Sequence, residues 1–306
     1  MNDTMPSVKK KSFSEFMRSR TGKQCVVSIV FLAIPLLLLI VFTYYPLVDM
    51  FRYSFMKWDG ISKVNKKFIG LQNYIDFFKN SKYYSVLWVS FYYLIGSFVQ
   101  IGLALVLAAV LNTKTKFANF FKGTIFFPYL INGVAVGFIF LYFYQRGGTL
   151  DTLLTAIGFS QESLPYWLKD VAINNIALTV VSVWRYLGNN MVMFSGAMQS
   201  INGDLYEAAS LDGANAWQQF IYIIVPNIRT IISINMIMAV KGAISVYEIP
   251  YIMTSGGNGT ATFVTKTLEV AFTSKKIGMA SAMGIILFII VMIVTVIQKR
   301  YEKGAE

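Results

Sequence analysis

Histidine is absent from this 306-residue chain, and cysteine occurs once, as Cys25. The first absence removes the commonest proton shuttle and metal ligand; the second excludes an intrachain disulfide and leaves the redox compartment undetermined. Charge is scarce too. Only 14% of residues are charged, and 15 acids stand against 27 bases for a net charge of +12. The acids are scattered singly, with no nucleophile and base in obvious partnership, which argues against an enzyme. No G-x-x-x-x-G-K-[ST] order occurs anywhere, and the glycine-rich run from Thr254 to Thr262 does not supply one, so ATP binding by this chain is not expected. Its basic residues are dispersed and accompany no DNA- or RNA-binding motif. Lipid headgroups and acidic solutes, rather than nucleic acid, are the expected counterparts.

What is present is apolar: 56% of residues are hydrophobic, more than a soluble domain can cover. Six stretches, at 25–48, 86–110, 123–145, 172–198, 227–249 and 279–298, are long enough to cross a ~30 Å hydrocarbon core as helices. The expected fold class is an all-α integral membrane protein with six transmembrane helices. The first stretch is too long for a removable signal peptide and has no small-residue cleavage site. Lys9, Lys10, Lys11, Arg18, Arg20 and Lys23 precede it, and Lys299, Arg300 and Lys303 follow the last, which places both termini in the cytoplasm of a multi-pass cell-membrane protein.

That topology divides the chain into a basic cytoplasmic segment at 1–24, a peripheral helix at 25–48 and an external loop at 49–85. A core of five spans follows at 86–298, containing a cytoplasmic loop at 199–226, and 299–306 is a cytoplasmic tail. In the first segment Phe13, Phe16 and Met17 fit either a helix on the membrane surface or a plain tail. Leu71, Tyr74, Ile75 and Phe78 form a helical stripe in the external loop, expected to lie at the outer interface and cap the bundle. Pro35 and Pro128 can kink their helices, and Gly133 with Gly137 makes a small-x-x-x-small face for close packing.

The polar loop between the fourth and fifth spans is the most informative stretch. Asn202 and Asp204 are good helix N-caps, Glu207 suits the first turn, Ala208, Ala209 and Leu211 favour helix, and Gly213 provides a left-handed stop. A second short helix is expected from about Asn215 to Val225, with Trp217, Phe220, Ile221 and Ile224 on one apolar side, ended or kinked by Pro226. Spacing alone leaves two meanings open, a docking element or a capped connector.

The order E-A-A, three residues, G, then I-x-x-P, here Glu207, Ala208, Ala209, Gly213, Ile223 and Pro226, resembles the EAA loop of permease subunits in binding-protein-dependent sugar ABC importers. Phe68 to Tyr74, FIGLQNY, is similar to the F-x-G-L-x-N-Y element of sugar permeases, and Phe126 to Tyr129 to their F-L-P-Y string. Tyr45, Pro46, Ser54 and Phe55 match the family's exit from the first helix, and Tyr247 and Glu248 stand where it usually has Phe-Asp. Thr254 to Thr262 resembles a T-G-G-G-P element, departing from it at Ser255 and Asn258. The resemblance implies a type I ABC importer permease whose loop, through Glu207, Ala208, Ala209, Asp212, Gly213 and Trp217, couples to ATPase subunits. It further implies two such ATPases carrying ATP and Mg, a second, distinct permease, an extracellular solute-binding protein and a sugar cargo, with no cofactor on this chain itself.

Ionisable groups inside apolar spans are expensive and mark candidate sites. Arg185 lies in the fourth span and Lys241 in the fifth, with Glu248 two turns further on. They either pair only to fix packing or line a water-filled pathway. Trp184, Tyr186, Asn189 and Asn190 surround Arg185 with aromatic faces and amides suited to sugar rings. Likeness to maltose-type permeases places solute contacts at Arg185, Tyr186 and Asn189, and at Ala239, Gly242, Ala243 and Val246. The candidate solute set is Trp184, Arg185, Tyr186 and Asn189 on one span, with Lys241, Gly242, Ser245 and Glu248 on the other. Two cations against one acid suggest a heavily hydroxylated or acidic oligosaccharide. The alternative is a secondary transporter of a polar solute, which calls for inverted repeats and a coupling-ion site; no clear repeat is found.

Overall fold

The computed structural model describes residues 20–61, 66–113 and 116–303. The helix suggested by Phe13, Phe16 and Met17 lies outside them. The chain divides into two compact units, residues 1–53 and 54–306. In the first, α1 (Arg20–Leu39) runs through a widened turn at Ile40–Tyr44 into a helix at Tyr45–Ser54, with Pro35 inside α1.

The second unit opens with a short antiparallel pair, β1 (Met56–Lys57) and β2 (Lys67–Phe68), in register Met56 to Phe68. Helix α2 (Gln72–Lys79) follows. The packed face is not the expected stripe: Leu71, Ile75 and Phe78 are exposed, while Asn73 and Phe77 are buried, Phe77 in a cluster with Phe263, Met279 and Met283. The reason is a polar anchor. Asn73 Nδ2 donates to the carbonyls of Ser54 and Met56 at 2.8 and 2.9 Å, which turns the apolar stripe outward.

Helix α3 (Val89–Asn112) is continuous, whereas the expected third span at 123–145 is not one rod. Instead α4 (Ala118–Leu130) and α5 (Gly133–Phe143) meet at 96°. Pro128 removes a backbone donor near the end of α4, and the Asn132 side chain caps α5 by accepting from Val134 N at 2.9 Å, so the chain restarts rather than continues. Helix α6 (Thr149–Ala156) leads to α7 (Asn174–Gln199), whose 26 residues would reach about 39 Å.

Beyond α7 come α8 (Gly203–Leu211), α9 (Ala216–Gln219) and a widened turn at Phe220–Ile224. Then α10 (Arg229–Ser245), α11 (Glu248–Thr254), α12 (Phe263–Leu268) and α13 (Ile277–Lys303) complete the unit. The break at Val246 and Tyr247 puts Pro250 in the first turn of α11, where its missing N–H costs nothing. The Val246 carbonyl freed there accepts from Thr262 Oγ1 at 2.7 Å.

Among the described residues four helices are long and apolar enough to cross a membrane: Val27–Ser54, Ser81–Asn112, Arg229–Thr254 and Ile277–Arg300. The bent pair α4–α5 makes a fifth candidate. Helix α7 forms where the fourth span was expected but does not qualify by composition; of its polar residues Asn174, Asn175, Thr179 and Ser195 are buried. α3 lies along α7, with α10 and α4 packed on them, and α11 crosses α5. Ala104 and Ala108 are fully buried, and a Cβ on Gly137 would press into Ile252 at 2.7 Å; in lipid, where apolar surface gains little by burial, such close backbone approach holds helices together.

The loop before α7 has its own lock. Asp151 is buried and accepts from Gly147 N and Trp167 Nε1, each at 2.8 Å. Burial pushes its pKa up, but these two donors and the nearby Arg146 charge outweigh that and hold it below the usual carboxylate range.

Candidate functional site

Two apolar clusters flank a cavity of about 470 Å³. On α3 the order is Val89 and Tyr93, cavity-lining Gly96 and Gln100, then Ile101 to Leu111. On α7 it is Ala177 to Val181, the lining residues, then Met191 to Met198. On α10 the order reverses, from Ile228 to Ala243. So α3 and α7 run parallel, α10 runs against them, and all three turn polar or small at the same level.

Of the candidate solute residues, Arg185, Tyr186, Asn189, Gly242, Ser245 and Glu248 line this cavity. Trp184 does not: it packs edge-on against Phe140, ring centres 5.1 Å apart. Lys241 does not either; it is exposed and makes no hydrogen bond or ion pair among the described residues. The geometric cause is the break after Ser245, which removes Glu248 from the continuous helical face it was expected to share with Lys241.

Glu248 instead meets Arg185, Nη1 to Oε2 at 2.7 Å, with side chains 37% and 12% exposed. The guanidinium also lies 5.1 Å from the Tyr186 ring centre. Gly133 makes room for the pair, since a Cβ there would overlap both the Glu248 carboxylate and the Arg185 guanidinium. The cavity thus holds one closed ion pair, not the two cations against one acid that the sequence suggested. Sequence reasoning overlooked Gln100 and Asn235, which also line it. The signal was available: each is an isolated amide in an apolar helix.

The loop at the other end of α7 is built from its own neighbours. Asn202 caps α8, accepting from Asp204 N at 3.1 Å, and Gly213 turns the chain at φ +83° while Ala214 N donates to Ala209 O at 2.9 Å. Asn215 and Gln218 exchange hydrogen bonds as a capping box on α9, and Gln219 Nε2 reaches back to Ser210 Oγ at 3.0 Å. Helical backbone continues from α9 through the widened turn at Phe220–Ile224 to Asn227, so the second helix has the expected extent and ends just past Pro226. Phe220 is buried and Ile224 packs on the lower cluster, but Trp217 is 65% exposed and Leu211 90%, beside exposed Glu207, Ala208 and Asp212. Leu211, and Trp217 stacked on Phe220 with ring centres 5.4 Å apart, leave apolar surface exposed on a polar loop.

Residues 100–306 match the family model described as the binding-protein-dependent transport system inner membrane component. A probable ABC transporter permease, YurN of Bacillus subtilis, is 34% identical over 276 residues, covering 88% of this chain and 94% of that protein. The multiple sugar-binding transport system permease MsmF of Streptococcus mutans is 31% identical over 281 residues, covering 90% of this chain and 95% of the relative. Among solved structures, a bacterial ABC transporter involved in import of the acidic polysaccharide alginate superposes with a TM-score of 0.81 at 17% identity, over 92% of this chain and 96% of that one.

Proposed function

The chain belongs to the binding-protein-dependent transport system inner membrane components, and from that premise we propose that it is the permease subunit of an ABC importer for oligosaccharides. It is a multi-pass membrane protein of the type I importer fold. Solute reaches it from an extracellular binding protein, enters the cavity between α3, α7 and α10, and leaves on the cytoplasmic side, where both termini lie. Two partner ATPases hydrolyse ATP, and a second permease, distinct from this one, supplies the other half of the pathway.

The observation that carries this reading is the pairing of a sugar-compatible cavity with a preformed loop at opposite stretches of one helix. Arg185, Tyr186, Asn189, Gly242, Ser245 and Glu248 offer a solute an aromatic face, an amide, a hydroxyl and charge-assisted contacts. Glu207, Ala208, Ala209, Asp212, Gly213 and Trp217 present the ATPases with a shape that can transmit a push. ATP-driven closure of the ATPases then moves α7 and rearranges the cavity. The sugar named for MsmF supports the carbohydrate assignment. Arg185 Nε has no hydrogen-bond partner among the described residues and can answer a carboxylate, and the alginate transporter is a precedent for acidic cargo on this fold.

Co-purification with tagged partner subunits, followed by ATPase assays with a solute-loaded binding protein, tests the importer. Stimulation that requires the loaded binding protein is expected; uptake driven by an ion gradient without it would instead mean a secondary transporter. Uptake by Arg185→Gln of matched neutral and uronic-acid oligosaccharides tests the acidic branch, and equal losses for both would remove it.

A further inference from the structure

A second hollow, of about 1190 Å³, opens between α2 and the start of α13. The segment leading into α3 borders it, and α3 runs parallel to α7, so it lies on the face opposite the Glu207 loop. Lys57, Lys67, Lys79, Lys275 and Lys276 line it against two acids, Asp59 and Asp76. All five lysines are exposed, and among the described residues none of their side chains makes a hydrogen bond or ion pair. The acids turn to other partners: Asp76 accepts from Gln72 Nε2 at 2.7 Å and Asp59 from Ile61 N at 3.0 Å. Like charges lining one hollow repel, and lysines are normally sparse near the outer ends of membrane spans, so the cluster calls for an anion.

The hollow lies at the level of lipid headgroups. Its lining residues Ser81 and Tyr83 begin one membrane-length helix, Ser81–Asn112, and Lys275 and Lys276 immediately precede another, Ile277–Arg300. Exposed Tyr84 and Trp88 stand just inside the first, where interfacial aromatics anchor a span. Helix α2 shows the same boundary across its width: Asp76 and Lys79 face the hollow, whereas Leu71, Ile75 and Phe78 are exposed on the neighbouring face. We propose that the hollow holds the headgroup of an anionic phospholipid, its phosphate among the lysines and its acyl chains along the apolar face of α2. A soluble protein approaching from outside meets the loops above this level, whereas a headgroup is already there. The inference requires only that the chain spans a membrane, and it holds whatever the cargo.

The complete transporter in neutral detergent is titrated with phosphatidylglycerol or phosphatidylcholine, and bound lipid is counted by native mass spectrometry. Phosphatidylglycerol is expected to bind at least tenfold tighter. Lys57→Gln, Lys275→Gln and Lys276→Gln should each weaken it roughly fivefold, and the three together more than tenfold. The same three changed to Arg should bind as wild type, as should Lys169→Gln, a lysine of the same face that does not line the hollow. Wild-type binding by the triple Gln variant would overturn the site, and so would loss in the triple Arg variant, which keeps the charge. Displacement of the lipid by an equal concentration of inorganic phosphate would overturn it in favour of a free anion. If the triple Gln variant keeps its phosphatidylglycerol but loses affinity for the solute-binding protein, the hollow is a protein-docking surface and the lipid assignment falls.

Discussion

Helix α7 joins two regions built on opposite plans. Its middle faces a cavity whose decisive contact, Arg185 to Glu248, spans 63 residues of sequence. Its end leads into a loop whose side-chain hydrogen bonds span two to nine residues: Asn202 with Asp204, Asn215 with Gln218, Ser210 with Gln219. Contacts between distant helices change whenever those helices move, whereas local ones persist. The cavity is thus suited to open and close, and the loop to move as one piece and drive it.

If that contrast holds, damage in the cavity should spread through the bundle. Glu248→Ala leaves the Arg185 guanidinium, 12% exposed, without its anion. Breaking a fully buried pair costs about 3–5 kcal/mol, and because Glu248 is 37% exposed we expect roughly 1–3 kcal/mol here. Thermal unfolding of the assembled transporter should show the loss, and Arg185→Gln combined with Glu248→Gln should recover much of it. Gly133→Val should be at least as harmful, since its side chain would occupy the space of the pair. A single charge deletion that leaves the unfolding temperature unchanged would mean the pair does not tie α7 to α11.

Damage in the loop should stay local. Gly213 sits at φ +83°, where a Val side chain is strained by roughly 1–2 kcal/mol, and no neighbour lies within 4 Å of a Cβ there. We expect Gly213→Val to leave unfolding of the membrane bundle unchanged while removing solute-stimulated ATPase activity, with Glu207→Ala acting in the same direction through lost contact with the ATPase. Normal transport by both variants would dissociate this loop from coupling.

The same contrast decides what could be read from sequence. Caps at Asn202 and Asn215 and the glycine turn at Gly213 are short-range signals, and all three occur as the residues suggest. Helices were legible wherever long apolar runs specify them, but breaks depend on context: Asn132 restarts α5 and Pro250 displaces the end of α10 to Ser245. Each break moved site residues, taking Glu248 away from Lys241. Trp184 looked like a sugar platform because only its position was visible; Phe140, which packs edge-on against it, comes from another helix. Gln100 and Asn235 carry no charge and so stand out less than Arg185 or Glu248, although an amide in a lipid-spanning helix signals a site as well.

The finest test of local construction is the cap on α9. Asn215 Oδ1 accepts from Gln218 N at 2.9 Å, and Gln218 Oε1 accepts from Asn215 N at 2.8 Å. Asn215→Ala removes the first bond and should weaken the first turn of this helix by about 1 kcal/mol, whereas Asn215→Asp keeps an acceptor in place. A helix end without its cap frays, so amide hydrogen exchange at Trp217, Gln218 and Gln219 should quicken roughly fivefold in Asn215→Ala and stay near wild type in Asn215→Asp. Residues lining the cavity should exchange as in wild type, because no contact of the box reaches them. If exchange instead quickens along α7 as well, the loop and cavity are one cooperative structure, and the division drawn between them fails.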